Sequence, residues 1–298
     1  MSSSLPGHSF LAGRLLGVPI YVNYWTFAFF VLNVMRSSSM WNAPVWWSLS
    51  FATLSQIVVY LTVLVHEFGH GLMTRHVGGS IEKILLWPLG GICYSLMPVC
   101  EDSREKVQKE LLVVLAGPVT HWFQAPMWAT ILHLSSPEVD VWQFFNPLGH
   151  GWNLGVHSWV PRLWLAVLGQ AIMTNVLLFL FNFFLPMYPL DASKIFTSIL
   201  QLSFGFSVRK TAQSLILVSG VCSVAMIAYG LMYHGGQMLV LIGAMCAVET
   251  WQIKVLLDSD RLGAHPLFSH NDLPTQSQNY NELFSGHPHT LSEERPRV

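Results

Sequence analysis

Residues 46–70 end in Val63-Leu64-Val65-His66-Glu67-Phe68-Gly69-His70, and the reading of this stretch decides the fold. From 46 to 65 it carries no charge and reads as a membrane span. Its last five residues have the spacing H-E-x-x-H. On a helix, positions i and i+4 share a face, so both imidazoles can reach one metal while Glu67 stands beside a bound water. That pattern points to a zinc hydrolase, here with its metal at the end of a span. The bland alternative is two histidines and a glutamate facing water at a helix end. The bilayer weighs against it, because ionisable residues inside a span are costly and tend to be functional.

The rest of the chain is equally apolar. Of 298 residues, 52% are hydrophobic and 10% charged, with a mean hydropathy of +0.45. An average soluble domain is about 25% charged, so the composition points to an integral membrane protein. A net charge of −1 and the lack of a basic stripe exclude a nucleic-acid partner. Cys93, Cys100, Cys222 and Cys246 form no C-x-x-C pair and read as small apolar residues. Residues 1–13 are too poor in apolar side chains for a cleavable signal peptide, so the first span is expected to act as its own insertion signal.

Six apolar stretches are candidate spans: 20–35, 46–65, 111–134, 163–185, 215–233 and 238–253. The expected fold is therefore an all-α polytopic membrane protein of about six transmembrane helices. Of 15 Lys and Arg, this layout places Arg36 and Arg162 on one side and the other 13 on the opposite side. The positive-inside rule then puts both termini, and the His66–His70 motif, on the cytosolic or equivalent side. Trp25, Trp41, Trp46, Trp47, Trp142, Trp152, Trp159 and Trp164 cluster near the expected boundaries, as interfacial tryptophans do. Residues 81–97 are broken by Pro88 and Gly90-Gly91 and read as a small re-entrant β-hairpin, whose backbone edges must be paired. Residues 1–262 form the membrane domain; 263–298 are polar and expected to be a disordered cytosolic tail. No internal repeat is visible, which weighs against transporters built from inverted repeats.

Catalytic zinc takes three protein ligands and keeps one position open. Asp191, just beyond the fourth span and the helix-breaking Pro186 and Pro189, is the leading candidate for the third. Both it and His70 fall at inner helix ends. Asp191 also suits an N-cap of a following helix. Glu249, in the last span beside Trp251, is a competitor that reads better as an interface residue.

These residues resemble the site-2 protease family of intramembrane zinc metalloproteases. The resemblance rests on His66-Glu67-Phe68-Gly69-His70, Pro88-Leu89-Gly90-Gly91, Ala116-Gly117-Pro118 and Asn182…Pro186…Pro189-Leu190-Asp191, in the family's order across most of residues 10–200. Residues 13–22 are similar to its compact branch, without PDZ or CBS domains. The resemblance implies one zinc ion per chain, held by His66, His70 and Asp191, with Glu67 as catalytic base. It implies a substrate or oxyanion contact from Asn182, and His121 stands where the family often has Asn, as a further polar contact in the site or as a helix-packing histidine. Separately, the Gly90-Gly91 hairpin beside the zinc helix is expected to pair with an unwound substrate segment by strand addition. The family commonly has Leu-Asp-Gly-Gly-Arg, against Leu190-Asp191-Ala192-Ser193-Lys194 here. Asn182 lies four residues before Pro186 rather than the commoner three, which leaves Asn175 as a second candidate for its role.

The function implied is cleavage of transmembrane segments of single-span membrane proteins within the lipid bilayer, as regulated intramembrane proteolysis. Two alternatives stand beside it: a zinc-binding homologue that no longer cleaves, and a metal transporter. The intact Glu67 speaks against the first and the lack of repeats against the second.

Overall fold

The computed structural model describes residues 9–147, 152–232 and 236–268. Strands β1 (Ser9–Leu15) and β2 (Val18–Asn23) open the chain, followed by helices α1 (Trp25–Trp41) and α2 (Val45–His76). Strands β3 (Ser80–Trp87) and β4 (Gly90–Leu96) come next. The further helices among the described residues are α3 (Ser103–Val119), α4 (His121–Ser135), α5 (Trp159–Phe184), α6 (Asp191–Phe204), α7 (Val208–Met232) and α8 (Gln237–Asp258).

The expected hairpin is present as β3 and β4, but it is half of a four-stranded sheet in the order β1-β2-β3-β4. The fold is therefore mostly helical rather than all-α. β2 pairs parallel to β3, and the crossover that a parallel pair requires is supplied by α1 and α2. Val18, Ile20 and Val22 are buried alternately along β2. With Ile84 and Leu86 of β3 they pack onto Val63 and Phe68 of α2, the turns that carry the H-E-x-x-H residues. The sheet is thus seated on the motif-bearing end of α2.

Among the described residues four helices, α2, α5, α7 and α8, are long and apolar enough to cross a membrane. The six expected spans differ at two places. The stretch 20–35 is divided, since 20–23 complete β2 and α1 begins at Trp25. The period-two burial of β2 was hidden inside a continuous apolar run. The stretch 111–134 is divided at Thr120 between α3 and α4. Pro118 has no N–H to donate to the carbonyl four residues back, and the Thr120 N–H turns instead to Gly117 O at 3.0 Å.

Side-chain pairings fix the helix directions. Trp47 Nε1 donates to Trp159 O at 3.0 Å, Val58 packs with Val167 and Ala171, and Leu178 lies against the cluster that holds Val63. α2 and α5 are therefore parallel. The broken helix α3–α4 runs back between these levels: Val113 lies beside His70, His121 beside His66, and Leu132 packs in the cluster of Trp47. α1 is antiparallel to α2, with Asn33 bonded to Gln56 and Ser37 to Ser48.

After α8 the chain turns back. Leu262 and Phe268 pack with Ala212, Leu215, Ile253 and Leu257. Residues 263–268 thus belong to a packed segment; 269–298, the remainder of the expected tail, lie outside the described residues.

Ile84 is fully buried between the sheet and α2. Ile84→Ala removes contacts that close this interface and is expected to destabilise the protein by about 2–5 kcal/mol, measured as a lowered unfolding midpoint in detergent. An unchanged midpoint would show that the sheet does not depend on this packing.

Candidate metal centre

α2 presents His66, Glu67 and His70 on a buried face about two to three turns before its C-terminal end at His76. Asp191 opens α6 on the opposite wall. Its Oδ2 lies 3.0 Å from His66 Nε2 and 3.0 Å from His70 Nε2, and the two Nε2 atoms are themselves 3.0 Å apart. All three residues are buried. Among the described residues this is the one group of His, Cys, Asp or Glu with metal-ligand spacing. Glu249 lies in α8, outside it.

The donor set fits a zinc ion. His70 Nδ1 lies 2.8 Å from Val113 O. A carbonyl only accepts, so Nδ1 carries the proton and Nε2 of the neutral ring presents a lone pair. That lone pair faces a carboxylate oxygen and a second imidazole nitrogen at hydrogen-bond distance. Such a cluster of electron-pair donors is repulsive unless a cation lies among them. Tetrahedral zinc with bonds of about 2.0–2.1 Å holds its ligand atoms roughly 3.3 Å apart, close to the spacing here.

Room for the group comes from Gly117. A Cβ there would fall 2.3 Å from His70 Nε2 and 2.8 Å from His66 Nε2. α3 can approach α2 this closely only through a residue without a side chain.

Asp191 is not the N-cap of α6. Leu190 holds that position, and the Asp191 carboxylate is committed to the histidines. Its second oxygen, Oδ1, lies 3.5 Å from Lys194 Nζ. Partial burial works against the Lys194 charge, while the Asp191 and Glu67 carboxylates more than offset it and raise the ammonium's pKa above its ordinary value. The Asp191 N–H points to Asn182 Oδ1 at 3.4 Å, which ties the start of α6 to the end of α5. Ala192 and Ser193 are buried in the first turn of α6. Ser193 Oγ donates to Leu190 O at 2.7 Å, so the pair that replaces Gly-Gly sits in the helix without displacing Asp191.

The site opens into a cavity of about 630 Å³ lined by His66, Glu67, His70 and Asp191 together with Gly90, Gly91 and Asn182. Its volume lies within the usual range for ligand pockets, about 300–1,000 Å³. Asp191, Lys194, Ser198 and Gln201 form a polar stripe on the cavity face of α6. Gly91 of β4 presses on Glu67: an added Cβ would lie 2.5 Å from Glu67 Cγ and 2.8 Å from Oε1. His121 is not among the lining residues. It is 2% exposed and sits behind His66, with its Nε2 3.0 Å from His66 Nδ1. The Val113 carbonyl has no signature in sequence, because every residue carries one. Lys194 was visible only as a departure from a motif.

A family model described as "Peptidase family M50" matches residues 55–227. A zinc metalloprotease of Methanocaldococcus jannaschii is 26% identical over 224 residues, covering 72% of this chain and 54% of that protein. Stage IV sporulation protein FB of Bacillus subtilis is 28% identical over 93 residues, covering 30% of this chain and 31% of its own. The chain thus spans about half the length of the first relative and under a third of the second. Among solved structures, the site-2 protease from Methanocaldococcus jannaschii is 23% identical, covers 82% of this chain and 94% of its own, and superposes with a TM-score of 0.49.

Gly117→Ala is expected to weaken zinc binding by about tenfold or more, since the methyl group enters the space between the two imidazoles. Zinc content of the purified variant, set beside an unchanged helical circular-dichroism spectrum, measures it. Full zinc occupancy in the variant would contradict the assignment of that space to the metal.

Proposed function

The chain belongs to peptidase family M50, and on that footing we propose that it is a membrane-embedded zinc metalloprotease that cleaves transmembrane segments of single-span proteins. One observation carries the reading: three electron-pair donors and a buried glutamate line one cavity inside a framework of apolar helices. His66, His70 and Asp191 hold the zinc and Glu67 is the base. The intact Glu67 and the undisturbed Asp191 favour an active enzyme over a homologue that only binds metal.

Bound there, zinc supplies a Lewis acid for the scissile carbonyl and lowers the pKa of a water to about 7. Glu67 accepts the proton of the attacking water and hands it to the departing amine. The water oxygen adds to the carbonyl carbon, the C–N bond breaks, and the amine leaves with the proton. Gly91 holds the Glu67 side chain toward the cavity by close contact.

A transmembrane helix shields its peptide bonds by internal hydrogen bonding, so it must unwind before attack. β4 forms an edge of the sheet and lines the cavity through Gly90, Gly91 and Ile92. An unwound substrate segment adds to that edge as a further strand, which satisfies backbone groups that would cost several kcal/mol each in lipid. Water reaches the zinc along the polar side of the cavity, past Glu110, Lys194, Ser198 and Gln201.

The chain crosses the bilayer six times, with both termini and the metal near the cytosolic or equivalent side. Parity supports this. α2 and α5 are parallel, so the chain returns between them, and α3–α4 spans the height from His70 to Trp47. α1, antiparallel to α2, supplies the first crossing. Arg36 and Arg162 fall at the end of these helices remote from Arg75, Lys194 and Arg209.

The purified protein and its Glu67→Gln variant, tested against a panel of single-span substrates with zinc measured in both, check this reading. Zinc is expected in both, with cleavage about 10²–10⁴-fold lower in the variant. Gly91→Ala, which displaces Glu67, is expected to lower kcat while leaving zinc bound. A zinc-loaded wild type that cleaves none of the substrates would speak for the non-cleaving alternative, and metal flux in proteoliposomes for a transporter.

A further inference from the structure

We propose that His121 and Asn175 form a positioning relay that holds His66 in the one tautomer able to bind the metal. The inference rests on the reading of His66 as a ligand and extends it to two residues that touch neither metal nor cavity.

The direction of the relay follows from its far end. Asn175 Nδ2 donates to Ala171 O at 2.9 Å. That bond orients the amide so that Oδ1 faces His121 Nδ1 at 2.8 Å. An amide oxygen only accepts, so His121 carries its proton on Nδ1. The Nε2 of the neutral ring is then bare and accepts from His66 Nδ1–H at 3.0 Å. His66 is left with a lone pair on Nε2, the atom that faces Asp191 and His70. Reversed, the same chain of bonds would place a proton on His66 Nε2, in the space the cation needs. Asn175 is wholly buried and His121 nearly so. The direction of the relay is thus set by protein atoms.

The two imidazole ligands are supported differently. His70 Nδ1–H donates to the main-chain carbonyl of Val113, which no substitution removes. His66 depends on two side chains from α4 and α5, so its support can be removed without touching a ligand. Partners that orient ligating histidines commonly contribute about 10–100-fold in metal affinity.

The test is zinc affinity, measured by chelator competition on the purified full-length protein. Asn175→Leu keeps the volume and removes the acceptor, and His121→Phe keeps a ring and removes both nitrogens. Each is expected to bind zinc about 10–100-fold more weakly, with activity returning as zinc is raised. Asn175→Asp keeps the acceptor and is expected to bind zinc at least as tightly as the wild type. A merely structural role for these residues would lower the unfolding midpoint of the zinc-free protein and leave the affinity of the folded fraction unchanged. Wild-type affinity in both Asn175→Leu and His121→Phe overturns the proposal, as does an Asn175→Asp variant as weak as Asn175→Leu. Should Asn175→Leu not fold, His121→Phe and Asn175→Asp decide. A wild type that binds no zinc, or a His66→Ala variant that binds it normally, would remove the ligand assignment itself rather than the relay alone.

Discussion

Electrostatic repulsion among three electron-pair donors is the constraint around which this protein is organised. His66 Nε2, His70 Nε2 and Asp191 Oδ2 are held 3.0 Å from one another in a buried setting. With both imidazoles neutral and bare at Nε2, that arrangement is unfavourable unless a metal ion or a proton lies among the three atoms, so the fold must hold it together. α2 brings the two imidazoles together by helical periodicity alone. α6 brings the carboxylate across, anchored through Asn182 at the end of α5. α3 closes the third side, with Gly117 against both rings.

The sheet answers a second problem on the same helix. Glu67 lies on the cavity side of α2, where a flexible side chain has room to turn away. β4 limits that room, since Gly91 packs on Glu67 Cγ and Oε1 with no side chain between. The sheet in turn is fixed by Val18, Ile20, Ile84 and Leu86 on Val63 and Phe68. The same strand that packs on the glutamate also forms an edge of the sheet, so that edge lies next to Glu67.

The sequence was most legible where chemistry and periodicity coincide. H-E-x-x-H at helical spacing and a scarce intramembrane-type carboxylate sufficed to name His66, His70 and Asp191, and the structure brings them together. The Gly90-Gly91 break sufficed for a hairpin. β1 and β2 were not legible, because alternation at Val18, Ile20 and Val22 merges into the apolar run that continues into α1. His121 drew attention as a polar residue near the site, yet it lies behind a ligand rather than in the cavity. Spacing along α4 places a residue on a face but does not say which partner already occupies that face. The Val113 carbonyl was invisible, because main-chain acceptors have no residue code.

The interruption of α3–α4 ties these strands of argument together. By length and apolarity neither half stands with the four long helices, and the break looks like a defect in a span. Its position says otherwise. Gly117, Pro118, Thr120 and His121 all fall at the depth of the metal site. Pro118 withdraws the donor that would bond the Val114 carbonyl, and one residue earlier the Val113 carbonyl accepts from His70 Nδ1–H at 2.8 Å. A side chain at Gly117 would press its Cβ onto both imidazoles. The helix is broken where the ligands need it to be open, and the two halves together still cover the distance from His70 to Trp47. A weakness in the hydropathy pattern is therefore a mark of the site, set between the long apolar helices α2 and α5.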